Sequence, residues 1–283
     1  MRFVRVAIVL AVMVAVAALP TAASAVPGMQ WVLRSSPLDS SEYKTVSVPC
    51  PAGTRVLGGG AVPHWSYGNI LLMAMEPVPS SSGDRFVAAA RERVPISESW
   101  KLDAYAICAP APAGWQVVSN SSTTQLAGGF YGGAGHLGQA CPSGKVLLSA
   151  GGRITTNVAG IGMAGLELID PHYRTPAASL WNIMPNAQLW GSLARTVSAV
   201  CANPVPGFQV VTGTGSFAGP GWAGFNIACP AGKRVHGIGV SADTGVLGGF
   251  YPTSDLTGAG GQGYTYGNTD WFRLLTYQIS CAP

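Results

Sequence analysis

Six cysteines and a handful of aromatic and polar residues are the parts of this 283-residue chain that could do chemistry. The cysteines open and close three copies of one phrase. Cys50-Pro-Ala-Gly, Cys141-Pro-Ser-Gly and Cys229-Pro-Ala-Gly open it, and Tyr105-Ala-Ile-Cys108, Ser198-Ala-Val-Cys201 and Gln278-Ile-Ser-Cys281 close it. Thiols can hold zinc, attack as thiolates or pair. A tetrahedral cysteine site usually uses a Cys-x-x-Cys step, and the chain has none. The repetition instead predicts one bridge per copy, Cys50–Cys108, Cys141–Cys201 and Cys229–Cys281. That pairing leaves no thiolate nucleophile.

Other chemistry finds little support. His64, His136, His172 and His236 occupy non-equivalent places in the copies, and the twelve carboxylates are dispersed. Neither a metal nor a cofactor is expected. Glu76 and Asp170 align with each other before a proline and read as turn residues. Three stretches fit G-x-G-x-x-G or nearly so, at residues 133–138, 258–263 and 213–218. A dinucleotide fingerprint needs a helix after it, and no helical pattern follows any of them, so they read as loops. Ser41-Glu-Tyr-Lys44 lacks the companion motifs of a serine acyltransfer site. No catalytic residue is assigned, and a hydrolase is the third reading of function.

The aromatic residues divide by whether the repeat demands them. Met29, Trp115 and Phe208 align, as do Phe86, Trp181 and Tyr264, and Trp100, Trp190 and Trp271 each precede a closing cysteine. Large apolar residues that recur in register read as core. Two groups stand apart. His64, Trp65, Tyr67 and Asn69 lie in a loop whose counterparts hold no ring. Tyr264, Tyr266, Asn268 and Asp270 gather rings and polar groups in the third copy. Rings beside amides and carboxylates suit a sugar-binding surface, so these eight residues are the candidate ligand site. Its expected partner is a neutral glycan or cell-wall polymer.

The elements that must position them are short strands. Period-two alternation, β-branched and aromatic residues, and frequent Gly and Pro breaks point to an all-β protein. Four or five strands per copy are expected, in copies spanning residues 26–112, 113–205 and 206–283. Short proline-stiffened joints favour one shared body, with three antiparallel sheets as the faces of a β-prism with pseudo-threefold symmetry. Three small β-sandwiches in a row are the alternative. Residues 1–25 read as a secretory signal peptide: Arg2 and Arg5, an apolar run over 6–19, and Ala23-Ser24-Ala25 before the cut. The apolar run is too short for a membrane span, so no insertion is expected after cleavage. The resulting secreted location is where disulfides persist. Two of the sixteen cationic residues leave with the leader, so the mature chain is near neutral and nucleic acid is not an expected partner. Charged residues make up only 10% of the chain. Arginine outnumbers lysine and Ala, Gly, Val and Pro dominate, a usage typical of GC-rich bacterial genomes. Nothing here fixes an oligomeric state.

The Cys-Pro-x-Gly openings and cysteine-closed strands resemble the vitelline membrane outer layer protein I family of β-prisms. They are also similar to a group of secreted bacterial proteins that share Cys-Pro-Ala-Gly and Tyr-Ala-Ile-Cys-Ala. The first resemblance implies a β-prism, but its acidic signature before the closing strand is absent, so none of its residues carries over. The second implies no activity. Together with the unmatched rings, these features predict a non-catalytic, lectin-like binding protein. A structural cell-surface protein without a small ligand is the second reading.

Overall fold

The computed structural model describes residues 28–65, 68–170, 175–217, 221–242, 245–265 and 273–283. The leader and Trp271 lie outside them. Every regular element among these residues is a strand. The first copy supplies β1 (Gln30–Ser35), β2 (Tyr43–Pro49), β3 (Arg55–His64), β4 (Ile70–Val78), β5 (Arg85–Glu92) and β6 (Lys101–Ala109). The second supplies β7 (Gln116–Ala140), β8 (Val146–Thr156), β9 (Gly162–Asp170) and β10 (Thr175–Ala202). The third supplies β11 (Gln209–Phe217), β12 (Gly221–Ala228), β13 (Arg234–Ala242), β14 (Val246–Pro252), β15 (Gly258–Thr265) and β16 (Arg273–Ala282).

β7 and β10 are 25 and 28 residues long, and each runs through two sheets. The end of β10 near Cys201 pairs with β8, and its beginning pairs with β9, while β7 accompanies it along both. Register shifts between Met184 and Trp190 mark the bend. Each copy therefore contributes six strand segments, more than the four or five expected. The surplus comes from glycine-rich stretches read as loops. Residues 133–138 lie in β7, 258–263 in β15 and 213–217 in β11. Their missing side chains erase the alternation, yet their backbone groups pair on a neighbouring strand as any strand's must.

Three six-stranded antiparallel sheets result, in a β-prism-like arrangement. Each takes three strands from one copy and three from another. The first sheet runs β1-β6-β3-β14-β15-β12. The second joins the first part of β7, the last part of β10 and β8 to β4, β5 and β2, and the third joins β11, β16 and β13 to β9 and the remaining halves of β10 and β7. The seams between copies are narrow: Ala61 against Phe250, Ala74 and Met75 against Arg153 and Gly152, and Leu166 and Gly165 against Val240 and Ser241. One buried cluster spans all three copies, from Val46 to Cys281. A row of separate sandwiches would have three.

The repeated phrase has a local cause. In each opening turn the residue after glycine donates its N–H to the proline carbonyl, from Thr54, Lys145 and Lys233 at 3.1, 3.1 and 3.0 Å. The glycine between has φ of 80°, 81° and 79°, a region that side chains avoid. The bridges form within copies as expected, Cys50–Cys108, Cys141–Cys201 and Cys229–Cys281, with Cα separations of 5.6, 5.8 and 5.8 Å. Beyond each opening turn a β-bulge inserts one residue: Leu57, Leu148 and His236, all fully buried. The bulges converge. A Cβ on Gly58 would lie 2.6 Å from the His236 carbonyl oxygen, and Ser280 Oγ donates to the Leu148 carbonyl.

Met29, Trp115 and Phe208 are partly buried against the core, as their alignment predicts. Two other alignments fail. Pro77 pairs with Phe86 and Pro252 with Ala259, so Phe86 corresponds to Ala259 and not to Tyr264. Trp100 is fully buried, whereas Trp190 is 72% exposed. Trp100 lies an even number of residues before its cysteine and Trp190 an odd number, which sends the two rings to opposite faces of a strand. Glu76 and Asp170 are strand residues rather than turn residues. The Glu76 carboxylate accepts from Arg153 Nε at 2.7 Å and also from Arg153 Nη2, across a seam between copies.

Candidate functional site

The outward face of the first sheet collects Trp65, Trp222, Tyr251 and Tyr264. Paired residues of antiparallel strands point to the same side. His64 therefore stands beside Lys101, and Trp222 beside Tyr264. The burial pattern of β12 alternates, leaving Trp222, Gly224 and Asn226 on the solvent side.

His64 ends β3, and Trp65 follows it with φ of 60° and 53% of its surface exposed. A bulky residue in the left-handed region is strained, and such strain concentrates at functional sites. The Trp65 ring lies 5.8 Å from the His64 ring, and Lys101 Nζ sits 5.6 Å from its centroid. Behind them, Asp103 Oδ2 is 2.9 Å from His64 Nε2, and Lys101 Nζ is 3.1 Å from the same carboxylate. Opposite charges thus cancel at this edge of the face.

The two candidate clusters belong to different copies, and the seam between β3 and β14 brings them together. A Cβ on Gly68 would fall 2.7 Å from Tyr264 Cε1, so the first copy's loop lies directly against the third copy's ring. Tyr264 in turn makes an edge contact with Trp222, centroids 4.9 Å apart and planes at 65°. The Trp222 indole reaches across β15 to Gly248, where a Cβ would collide with it, and stays 40% exposed. Glycine at 68 and 248 is what lets both rings lie along the sheet. Asn69 takes part through its backbone: its carbonyl accepts the Arg93 N–H at 2.7 Å. Tyr67, Tyr266, Asn268 and Asp270 lie outside the described residues.

Sequence reasoning missed Trp222, although the alternation of β12 was there to be read. It also missed a second ring group on the same face. Tyr105 packs between Trp31 and Tyr251, at 5.8 and 5.9 Å between centroids. Burial pushes the Tyr105 hydroxyl up to about 12, reinforced by Asp103 and Tyr251, so it stays protonated. Tyr251 is 38% exposed.

The remaining histidines do not converge. His236 is in the core, and the His136 ring lies tilted 4.6 Å from Trp181 on another sheet. His172 is outside the described residues. Among the described residues no group of three His, Cys, Asp or Glu could hold a metal ion, and no cysteine is free. Trp181 Nε1 donates to Glu167 at 2.8 Å and Ser241 Oγ at 2.5 Å, a satisfied polar knot between strands. No known protein-family model and no curated protein matches this chain.

Proposed function

We propose that this chain is a secreted, non-catalytic protein that binds a neutral glycan on the outward face of the first sheet. The observation behind this reading is the set Gly68, Tyr264 and Trp222, assembled from two copies, with Trp65 exposed three residues before Gly68. Exposed rings with few charges favour the apolar faces of neutral sugars, while His64 and neighbouring amides can hydrogen-bond their hydroxyls. Three disulfides fit an oxidising compartment. The test is retention of the mature protein on a panel of insoluble and arrayed polysaccharides. Wild type should bind at least one neutral glycan, and a Trp65→Ala/Trp222→Ala double variant should lose it while melting within a few degrees of wild type. Equal retention by both proteins would contradict the reading.

A structural role in an extracellular layer is the second reading. It draws on sheets that interlock across copies, each copy stapled by a disulfide, and on the exposed Trp190. Self-association of the wild-type protein without any sugar, lost in Trp190→Ala, would favour it.

A further inference from the structure

The repetition allows the three outward faces to be compared position by position, and at two equivalent places only one face carries rings. Counting back from the closing cysteines, Tyr105 corresponds to Ser198 and Gln278. Tyr251, before its proline, corresponds to Glu76 and Asp170. On the second sheet these places are polar and already paired. Ser198 bonds Ser119 at 2.9 Å, and Glu76 holds Arg153. On the third sheet Gln278 Oε1 accepts the N–H groups of Leu168 and Ile169, at 2.6 and 3.1 Å. On the first sheet the same two positions hold tyrosines whose tilted rings lie 5.9 Å apart, and Tyr251 stays exposed.

The Tyr251 ring also has polar company. Gly260 is its partner across the ladder, and Asn226 is the next residue in the same row. A Cβ at Gly260 would lie 2.8 Å from the Tyr251 hydroxyl and 3.0 Å from Asn226 Oδ1. A hydroxyl and an amide thus converge over bare backbone beside a ring, the groups that recognition of one sugar needs. This station is distinct from the Trp222–Tyr264 station. Gly260 and Tyr264 are separated along β15 by about 13 Å at the rise of an extended strand. One pyranose ring cannot touch both. The row between them is Gly224, Gln262, Gly249 and Val62, uncharged and of little bulk, and it ends at Asp103, the partner of Val62.

From this geometry, and resting on the glycan reading above, we infer that the first sheet binds one linear neutral glycan lying along the strands, with its sugars on two ring stations. The length selected is a trisaccharide or longer, and the stoichiometry is one chain per protein despite the threefold repeat. An anionic polysaccharide is disfavoured because the charge that ends this row is the Asp103 carboxylate.

Calorimetric titration with neutral linear oligomers of glucose, mannose and N-acetylglucosamine, from monosaccharide to hexasaccharide, tests this. Affinity for the bound series should rise at least about fivefold between disaccharide and tetrasaccharide and then level, at one site per chain. Tyr251→Ala and, independently, Asn226→Ala should flatten that rise. Trp222→Ala should weaken every length, and Trp190→Ala none. Binding that does not depend on length, or more than one site per chain, would overturn the inference and leave the glycan reading standing. Binding of no oligomer and no polysaccharide would overturn both.

Discussion

Replacing His236 by leucine should stabilise the protein, and by an amount that grows as the solution is acidified. His236 occupies the bulge position that leucine fills in the other two copies, at Leu57 and Leu148, and it is fully buried. Neither ring nitrogen has a hydrogen-bond partner among the described residues. Burial alone holds its pKa at about 4 rather than 6.5. Above pH 6.5 the ring is neutral in both folded and unfolded chains, and protons have no influence on the balance. Below 6.5 the unfolded chain takes up a proton that the folded protein refuses until about pH 4. Stability from this residue is therefore intact above 6.5 and is lost progressively down to 4. The gap between the two values corresponds to about 3 kcal/mol. At neutral pH the leucine should also gain about 1 kcal/mol by removing an unpaired buried polar group. Urea midpoints of wild type and His236→Leu, with disulfides intact, would be compared from pH 7.5 to 4. The difference in unfolding free energy should widen by about 3 kcal/mol over that range. Curves that stay parallel would refute the argument that an unpaired neutral imidazole sits where the bulges meet.

Trp65→Asn should leave stability unchanged or raised by up to about 1 kcal/mol, because asparagine tolerates positive φ, while glycan retention falls; a large loss of melting temperature would show that the ring is structural. Gly248→Ala should displace the Trp222 indole and weaken glycan retention with the fold intact by circular dichroism, whereas undiminished retention would remove Trp222 from the surface. A double-mutant cycle between Glu76 and Arg153 should give a coupling of about 1–2 kcal/mol, since both sit at a seam between copies and the guanidinium is held at two nitrogens. A coupling near zero would mean that the seam is held by backbone pairing alone.

The bridges, the copies and the all-β class were legible because each rests on local, repeated residues. The Pro-x-Gly turn imposes its own conformation, and the closing cysteine lies on the strand that pairs back to it. Which copies share a sheet was not legible. The joining contacts, such as Ala61 with Phe250, involve one or two residue pairs and leave no mark in the sequence. Glycine-rich β15 gave no alternation to read, although it forms the floor between the two ring groups. The candidate site was half visible. Trp65 stood out because it breaks the repeat and Tyr264 because polar residues follow it, but the contact of Gly68 with Tyr264 depends on the exchange of strands between copies. Trp222 and Tyr251 were hidden for a different reason: a ring on one face of a strand is ordinary until its neighbours on adjacent strands are known.

The central claim is that the first sheet's outward face is the binding face, and tryptophan footprinting tests it most directly. The protein carries its own control in Trp190, which is more exposed than Trp65 or Trp222 and lies on the ribbon of β7 and β10. Oxidative labelling would be read by peptide mass spectrometry with and without the polysaccharide that retains the protein. Protection of Trp65 and Trp222 with unchanged labelling of Trp190 is the predicted result. Protection of Trp190 alone, or no change at Trp65 and Trp222, would contradict it.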